Sequence, residues 1–339
     1  MKKKIIIGLL ILVIILGGVG VGYLIKENNA KKELEKTLAN YSKPLLYKVT
    51  KEDSDTKIYL FGSIHLAADD AYPLPNEVIN AYNNSDYLAV EFDLVSFNKD
   101  FEAQMDMVAQ MLLKDNLTIK DVITEETYNL LIDYLEENNS YMNLYEYYQP
   151  AFFYSLVSNV AYEKTGLNTN NGIDKYFLDL ALEQNKKIIE MESADYQTEM
   201  LLSFPNALYD LLIKYSIKHE EQLIKETNDL YKAWLKGDVN TLNRLLTEEI
   251  DKDLISELSD NENELTLIDD YNQKLVTQRN NEMTEKTKKY FNEDKNVFVV
   301  VGLAHIIGED GIAHQLKEQG YKVEQIEIDT TVLREQEEK

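Results

Sequence analysis

The chain has 339 residues, no cysteine and a formal charge of −25. That charge argues against nucleic acid as a partner, because phosphate binding needs a positive footprint. Without cysteine the fold has to rely on its core, which a chain of this length is large enough to build.

In chain order, residues 1–27 read as an N-terminal membrane anchor. Ile5 to Ile25 is a run of 21 residues without a charge. At ~1.5 Å per residue a helix there spans ~31 Å, about one hydrocarbon core. Lys2, Lys3 and Lys4 precede the run, and no small-residue cleavage site is evident. The expectation is an uncleaved signal anchor: a single-pass transmembrane helix with a cytoplasmic N-terminus, the main domain outside the cell, and the membrane as a partner. Residues 28–43 read as a polar tether, 44–330 as the main domain and 331–339 as a charged tail.

Strand candidates in the main domain are 45–50, 57–62, 87–94, 186–191, 296–302 and 321–328, short runs rich in β-branched and aromatic residues. The fifth, "NVFVVVG", is apolar almost throughout, as expected of a strand buried on both faces. Between the third and fourth strands, "FEAQMDMVAQMLL", "TEETYNLLIDYLEEN", "PAFFYSLVSNVAYEKTG" and "GIDKYFLDLALEQNKK" carry helical apolar spacing. A second helical block runs from Asp195 to Phe291. A last helix follows the fifth strand, with Asp310 as N-cap, and leads into the sixth in a β-α-β unit. Strands alternating with helices predict an α/β domain with a central mixed, largely parallel sheet surrounded by helices.

Two segments share one pattern. "IYLFGSIHLA" places Gly62 at a strand end and His65 three residues on; "VFVVVGLAHIIGEDG" does the same with Gly302 and His305. In open α/β sheets, ligands bind beyond the carboxyl ends of the strands. Two imidazoles projecting from different strand ends could share one metal ion or one substrate group. One histidine past a strand is more often a satisfied structural residue; two of the chain's four histidines in matching settings point to a shared site. The third strand carries Glu91 and Asp93 in "YLAVEFDL". A carboxylate on a core strand costs several kcal/mol unless it is paired, hydrogen-bonded or coordinating, so Glu91 is a candidate ligand or general base. Only three of the 35 basic residues are arginine. Arg279, in "TQRNNEM", could hold Glu91, a substrate carboxylate or a tetrahedral oxyanion.

Taken together, "FGSIHLA", "LPNEVINAYNNSDYLAVEFDL", "GIDKYFLDLALEQNKKIIEMES", "YKAWLKGDVNTL", "QRNNEM" and "VFVVVGLAHIIGEDGIAHQLKEQGYKVEQI" resemble, in order, the motifs of the TraB/GumN family. That family includes the TraB/PrgY pheromone-shutdown proteins and is related to the TIKI proteases. The resemblance runs from Leu45 to Ile328 and implies a fold similar to the TIKI, erythromycin-esterase-like and ChaN-like group. By position, it implies a site at His65 and His305, with Glu91 as the acid and Arg279 and Asn280 as a late pair. Gly62, Gly302, Asp174, Glu192 and Gln197 match further motif positions whose roles it does not fix. The expected function is that of a membrane-anchored, divalent-metal-dependent peptidase. In that reading His65, His305 and Glu91 hold zinc, manganese, cobalt or iron, and Glu91, Arg279 and Asn280 serve catalysis on a peptide or protein. The alternative is a non-catalytic protein that captures a peptide at the cell surface. The oligomeric state is left open.

Overall fold

The computed structural model describes residues 42–247 and 262–329. Its centre is a six-stranded sheet, β1 (Leu46–Thr50), β2 (Ile58–Ser63), β3 (Tyr87–Val90), β4 (Lys187–Glu190), β5 (Val297–Gly302) and β6 (Lys322–Gln325), in the order β4-β3-β5-β2-β1-β6. The four strands β4, β3, β5 and β2 are parallel. The other two ladders, β2 with β1 and β1 with β6, are antiparallel. The sheet is thus open, mixed and mostly parallel, with β5 at its centre. Every residue of β5 is buried, because helices cover both of its faces.

The helices start where the sequence supplies caps. Asp93 caps α1 (Leu94–Phe97) by accepting from the Ser96 amide, and Asp100 caps α2 (Phe101–Gln110) through the Ala103 amide. Thr124 caps α3 (Glu125–Glu137), and Pro150 opens α4 (Pro150–Glu163), where its missing amide proton costs nothing. Next come α5 (Ile173–Glu183), α6 (Asn206–Lys218) and α7 (Glu220–Lys236). A π-helical turn over Gln273–Gln278 runs into α8 (Arg279–Tyr290), and the last helices are α9 (Leu303–Ile306) and α10 (Ile312–Glu318).

Two apolar clusters result. One lies on the sheet, where Phe61, Phe177, Trp234 and Phe298 pack ring against ring. The other is purely helical and is built from the faces of α2, α3, α4 and α6, with Leu131, Phe153, Leu208 and Ile213 fully buried. The two helical insertions therefore carry a core of their own beside the sheet.

Two expectations are corrected. The third strand ends at Val90 and not at residue 94, so Glu91 and Asp93 do not share a strand face; Asp93 turns away to cap α1. Asp310 caps no helix, because Gly311 stands at the α10 N-cap and the Asp310 carbonyl accepts from Asn280 and Gln315. The β-α-β unit at the end is present and joins strands of one direction, with β2 and β1 lying between β5 and β6. The membrane expectation is also withdrawn. Among the described residues no helix is long and apolar enough to cross a membrane. The proposed span at residues 5–25 lies outside the described residues, as do the charged tail and all of the tether but its last two positions. Nothing in the structure thus supports a transmembrane helix, a signal anchor, a single-pass topology with an extracellular domain, or the membrane as a partner.

Candidate functional site

The four parallel strands end at one edge of the sheet, and each delivers a polar side chain just past its last residue. His65 follows β2, Glu91 follows β3, Glu192 follows β4 and His305 follows β5. All four are buried. The α8 helix lays Arg279 and Asn280 across this edge, and both are fully buried as well. The π-helical turn before them adds a residue to the helical repeat and so shifts the phase at which α8 begins.

Arg279 is the hub. Its Nε and Nη2 donate to the two oxygens of Glu192, both at 2.7 Å. Nη2 also donates to Glu91 Oε2 at 2.6 Å, and Nη1 donates to the Leu275 carbonyl at 3.2 Å. Gln197 fixes Glu192 from behind through a 2.8 Å hydrogen bond. The other oxygen of Glu91, Oε1, accepts from the Gly302 amide at 2.8 Å. Burial by itself pushes Glu91 upward, but the Arg279 guanidinium leads the opposing influences and brings it down to about 2. The same two carboxylates outweigh burial at Arg279 and raise it further, so this pair is fully ionised.

The two histidines are oriented by different partners. His65 Nδ1 lies 2.7 Å from Asp174 Oδ2, and Ser63 Oγ donates to Asp174 Oδ1 at 2.6 Å. A carboxylate has no proton to give, so Nδ1–H donates and Nε2 faces away from Asp174. Burial pulls His65 down, but the charge and hydrogen bond of Asp174, together with Glu91, outweigh it and the net shift is upward. His305 Nδ1 lies 2.6 Å from Asn280 Oδ1, and Asn280 Nδ2 donates to the Asp310 carbonyl at 2.8 Å. That second bond assigns the amide, so the His305 proton sits on Nδ1. His305 Nε2 is buried without a hydrogen-bond partner, 3.8 Å from Glu91 Oε1. Burial first, and then the nearby guanidinium, push His305 down to about 3, so it is neutral. Its Nε2 therefore offers a bare lone pair.

Gly302 and Gly62 stand where backbone comes close. An added Cβ on Gly302 would lie 3.2 Å from Glu91 Oε1 and 3.6 Å from His65 Nε2. One on Gly62 would meet the Leu303 side chain at 2.6 Å, and the Gly62 carbonyl accepts from the Trp234 indole at 2.8 Å. A cavity of about 90 Å³ opens beside His65, Glu91 and Asp174. Its apolar wall is Val90, Phe92, Leu94 and Leu178, and its polar rim includes Asn98, Thr169 and Asn170.

The structure thus brings together His65, Glu91, Asp174, Glu192, Gln197, Arg279, Asn280, Gly302 and His305, with Gly62 one strand position behind. Sequence reasoning missed Ser63, although it adjoins Gly62 in the motif, and the rim residues Asn98, Thr169 and Asn170, which carry no pattern of their own. The donors His65, Glu91 and His305 are of the kinds a divalent ion takes. Among the described residues no group of three or more His, Cys, Asp and Glu is placed to hold a metal ion, and the charge of Glu91 is already paired with Arg279. Arg279 is likewise committed to two carboxylates and closed off from solvent, which removes it as a donor to a substrate oxyanion. The metallopeptidase reading is withdrawn on these grounds.

The chain is 27% identical over 264 residues to the uncharacterized protein YbaP of Escherichia coli (strain K12), an alignment that covers 76% of this chain and 87% of that protein. The YbaP protein of Shigella flexneri matches to the same extent. No solved structure matches the chain. Residues 45–325 match the model of the TraB/PrgY/gumN family, a span that holds all six strands and every site residue described above, and the chain belongs to that family.

Proposed function

We propose that this protein captures a peptide at the carboxyl edge of the sheet and holds it intact. The observation that carries the reading is the way the site pairs its own charges. Glu91 and Glu192 are held on Arg279, and Asp174 is held on Ser63 and His65. A floor fixed by so many mutual bonds is preorganised, which lowers the cost of ordering a ligand on it. Around the cavity, the carboxamides of Asn98 and Asn170 offer both donors and acceptors to a peptide main chain, and Phe92, Leu94 and Leu178 offer apolar contact. The motif resemblance to pheromone-shutdown proteins supports the same class of ligand.

The test is retention. A pool of randomised synthetic heptapeptides is incubated with the full-length chain, unbound peptide is removed by filtration, and the bound fraction is weighed by mass spectrometry. Runs with added zinc or manganese are compared with runs in chelator. Capture predicts intact peptides in the bound fraction at a ratio near one per chain, with or without chelator. The finer resemblance to the TIKI proteases would instead give fragments that disappear with chelator. Such fragments, or an empty bound fraction, would overturn the reading.

A further inference from the structure

β4 is the end strand of the sheet, paired with β3 on one side and with no described strand on the other. The Met191 amide donates to the Val90 carbonyl. Backbone groups alternate in direction along a strand, so Lys187 and Ile189 face β3 as well, and the amides and carbonyls of Ile188 and Glu190 face outward. No described residue bonds to those outward groups. A groove of about 350 Å³ lies beside them, between β4, the α1–α2 segment and the start of a helix over Ala194–Leu202. Four carboxylates line it, on Asp93, Asp100, Glu190 and Asp195, and none of the described basic side chains does. Glu190 Oε1 takes the Asp93 amide at 2.7 Å, which leaves Oε2 for another donor. Phe92 walls both this groove and the cavity beside His65, so the edge continues the site.

We propose that the outer edge of β4 docks an extended peptide segment with basic side chains, which joins the six-stranded sheet as a further strand. This rests on the capture reading and says how the peptide is held. Its main chain bonds to Ile188 and Glu190 whatever its sequence, and the groove selects among the side chains on one face, every second residue. A lysine or arginine there meets carboxylates and no competing cation of the described residues. A short, charged strand can also serve simply to keep a sheet edge from pairing. At β4 that guard is one-sided: Lys187 Nζ lies 4.4 Å from the centroid of the Tyr87 ring, on the face away from the Ile188 and Glu190 side chains. A second copy of this chain suits the edge less well, because it would bring together two acidic grooves and two chains of formal charge −25.

The experiment uses the full-length chain, with chelator present, and three pools of randomised nonapeptides. The first carries lysine at alternate positions and the second glutamate there. The third is the lysine pool with every peptide nitrogen methylated, which removes the main-chain donors. Retention of the first pool over each of the others by about tenfold or more, a factor within reach of two or three hydrogen bonds, supports strand addition with a basic face. A lysine pool retained no better than the glutamate pool overturns the basic face, and one retained no better than its methylated form overturns strand addition; either result leaves capture standing. Retention of none overturns capture and the edge together. Amide hydrogen exchange, read by NMR, locates the strand. In the free chain the Ile188 and Glu190 amides should exchange fast and the Ile189 and Met191 amides slowly. Retained lysine peptides should slow the first pair by about tenfold or more. Exchange there that peptide leaves unchanged, or that is already slow because another segment or a second copy holds the edge, would overturn the placement. The double variant Glu190→Gln, Asp195→Asn removes two exposed charges and should cut the preference for lysine over glutamate by about threefold or more. An unaltered preference would overturn the part given to the groove.

Discussion

Replacing Arg279 by methionine should destabilise the protein more than any other single change at the sheet edge. The side chain is fully buried and makes four hydrogen bonds, three of them to Glu91 and Glu192. Methionine fills a similar volume and donates nothing. Two carboxylates would be left buried without a counter-charge, and breaking a buried pair from one side costs about 3–5 kcal/mol. Glu91 would lose the leading influence that holds it near 2. It would take up a proton, and part of the cost would appear as that uptake. In a chain of this size the loss should lower the melting temperature by on the order of 10 °C. Urea unfolding followed by tryptophan fluorescence reads the loss directly, because the single tryptophan, Trp234, lies in the sheet core. The triple variant Glu91→Gln, Glu192→Gln, Arg279→Met removes all three charges and should recover much of the stability, since neutral amides are far less costly to bury than ions. A loss below about 1 kcal/mol for Arg279→Met, the range of an exposed ion pair, would refute the buried network.

Further outcomes follow from the same geometry. His305 is held near 3 in the fold against an ordinary value of 6.5, so its contribution to stability is complete above about pH 6.5 and is lost as the pH falls toward 3. Glu91 acts in the same direction from about 4.5 down to about 2, and urea midpoints measured from pH 7 to pH 4 should therefore fall steadily. A flat profile would contradict a neutral buried His305. Asp174→Asn removes the charge that leads the upward influences on His65, so the imidazole should titrate at lower pH in the variant, as read by NMR. No change would mean that the pair is not formed in solution. Trp234→Phe leaves the Gly62 carbonyl without its indole donor and should cost about 1–3 kcal/mol in urea unfolding; an unaltered midpoint would contradict that bond.

Much of the architecture was legible because it is written locally. The uniformly apolar "VFVVV" run marked the central strand, and the period-3.6 segments in 101–183 marked α2 to α5 closely. The two G-x-x-H motifs and Glu91 were legible for the same reason, since each lies within a few residues of a strand end. What could not be read was the pairing. Asp174 is 109 residues from His65, and Glu192 is 87 from Arg279. No periodicity links such positions, and only the closing of the sheet brings them into contact. The overlong third strand has a physical cause. Beyond Val90 the Glu91 carbonyl still accepts from the Glu192 amide while its side chain reaches the Gly302 amide and Arg279, and the chain then turns so that Asp93 caps α1. The commitment of Arg279 to two carboxylates was equally hidden, and it changes the meaning of the residue from a substrate contact to a fixed support.

The central claim is a closed site floor, in which a neutral His305 is held by Asn280 beside the Arg279 ion pairs. Long-range proton–nitrogen spectra of the histidine side chains test this most directly, with His219 and His314 as internal references. The expected result is a neutral His305 with its proton on Nδ1 from pH 7 down to pH 5. A protonated His305 in that range, or a proton on Nε2, would contradict it.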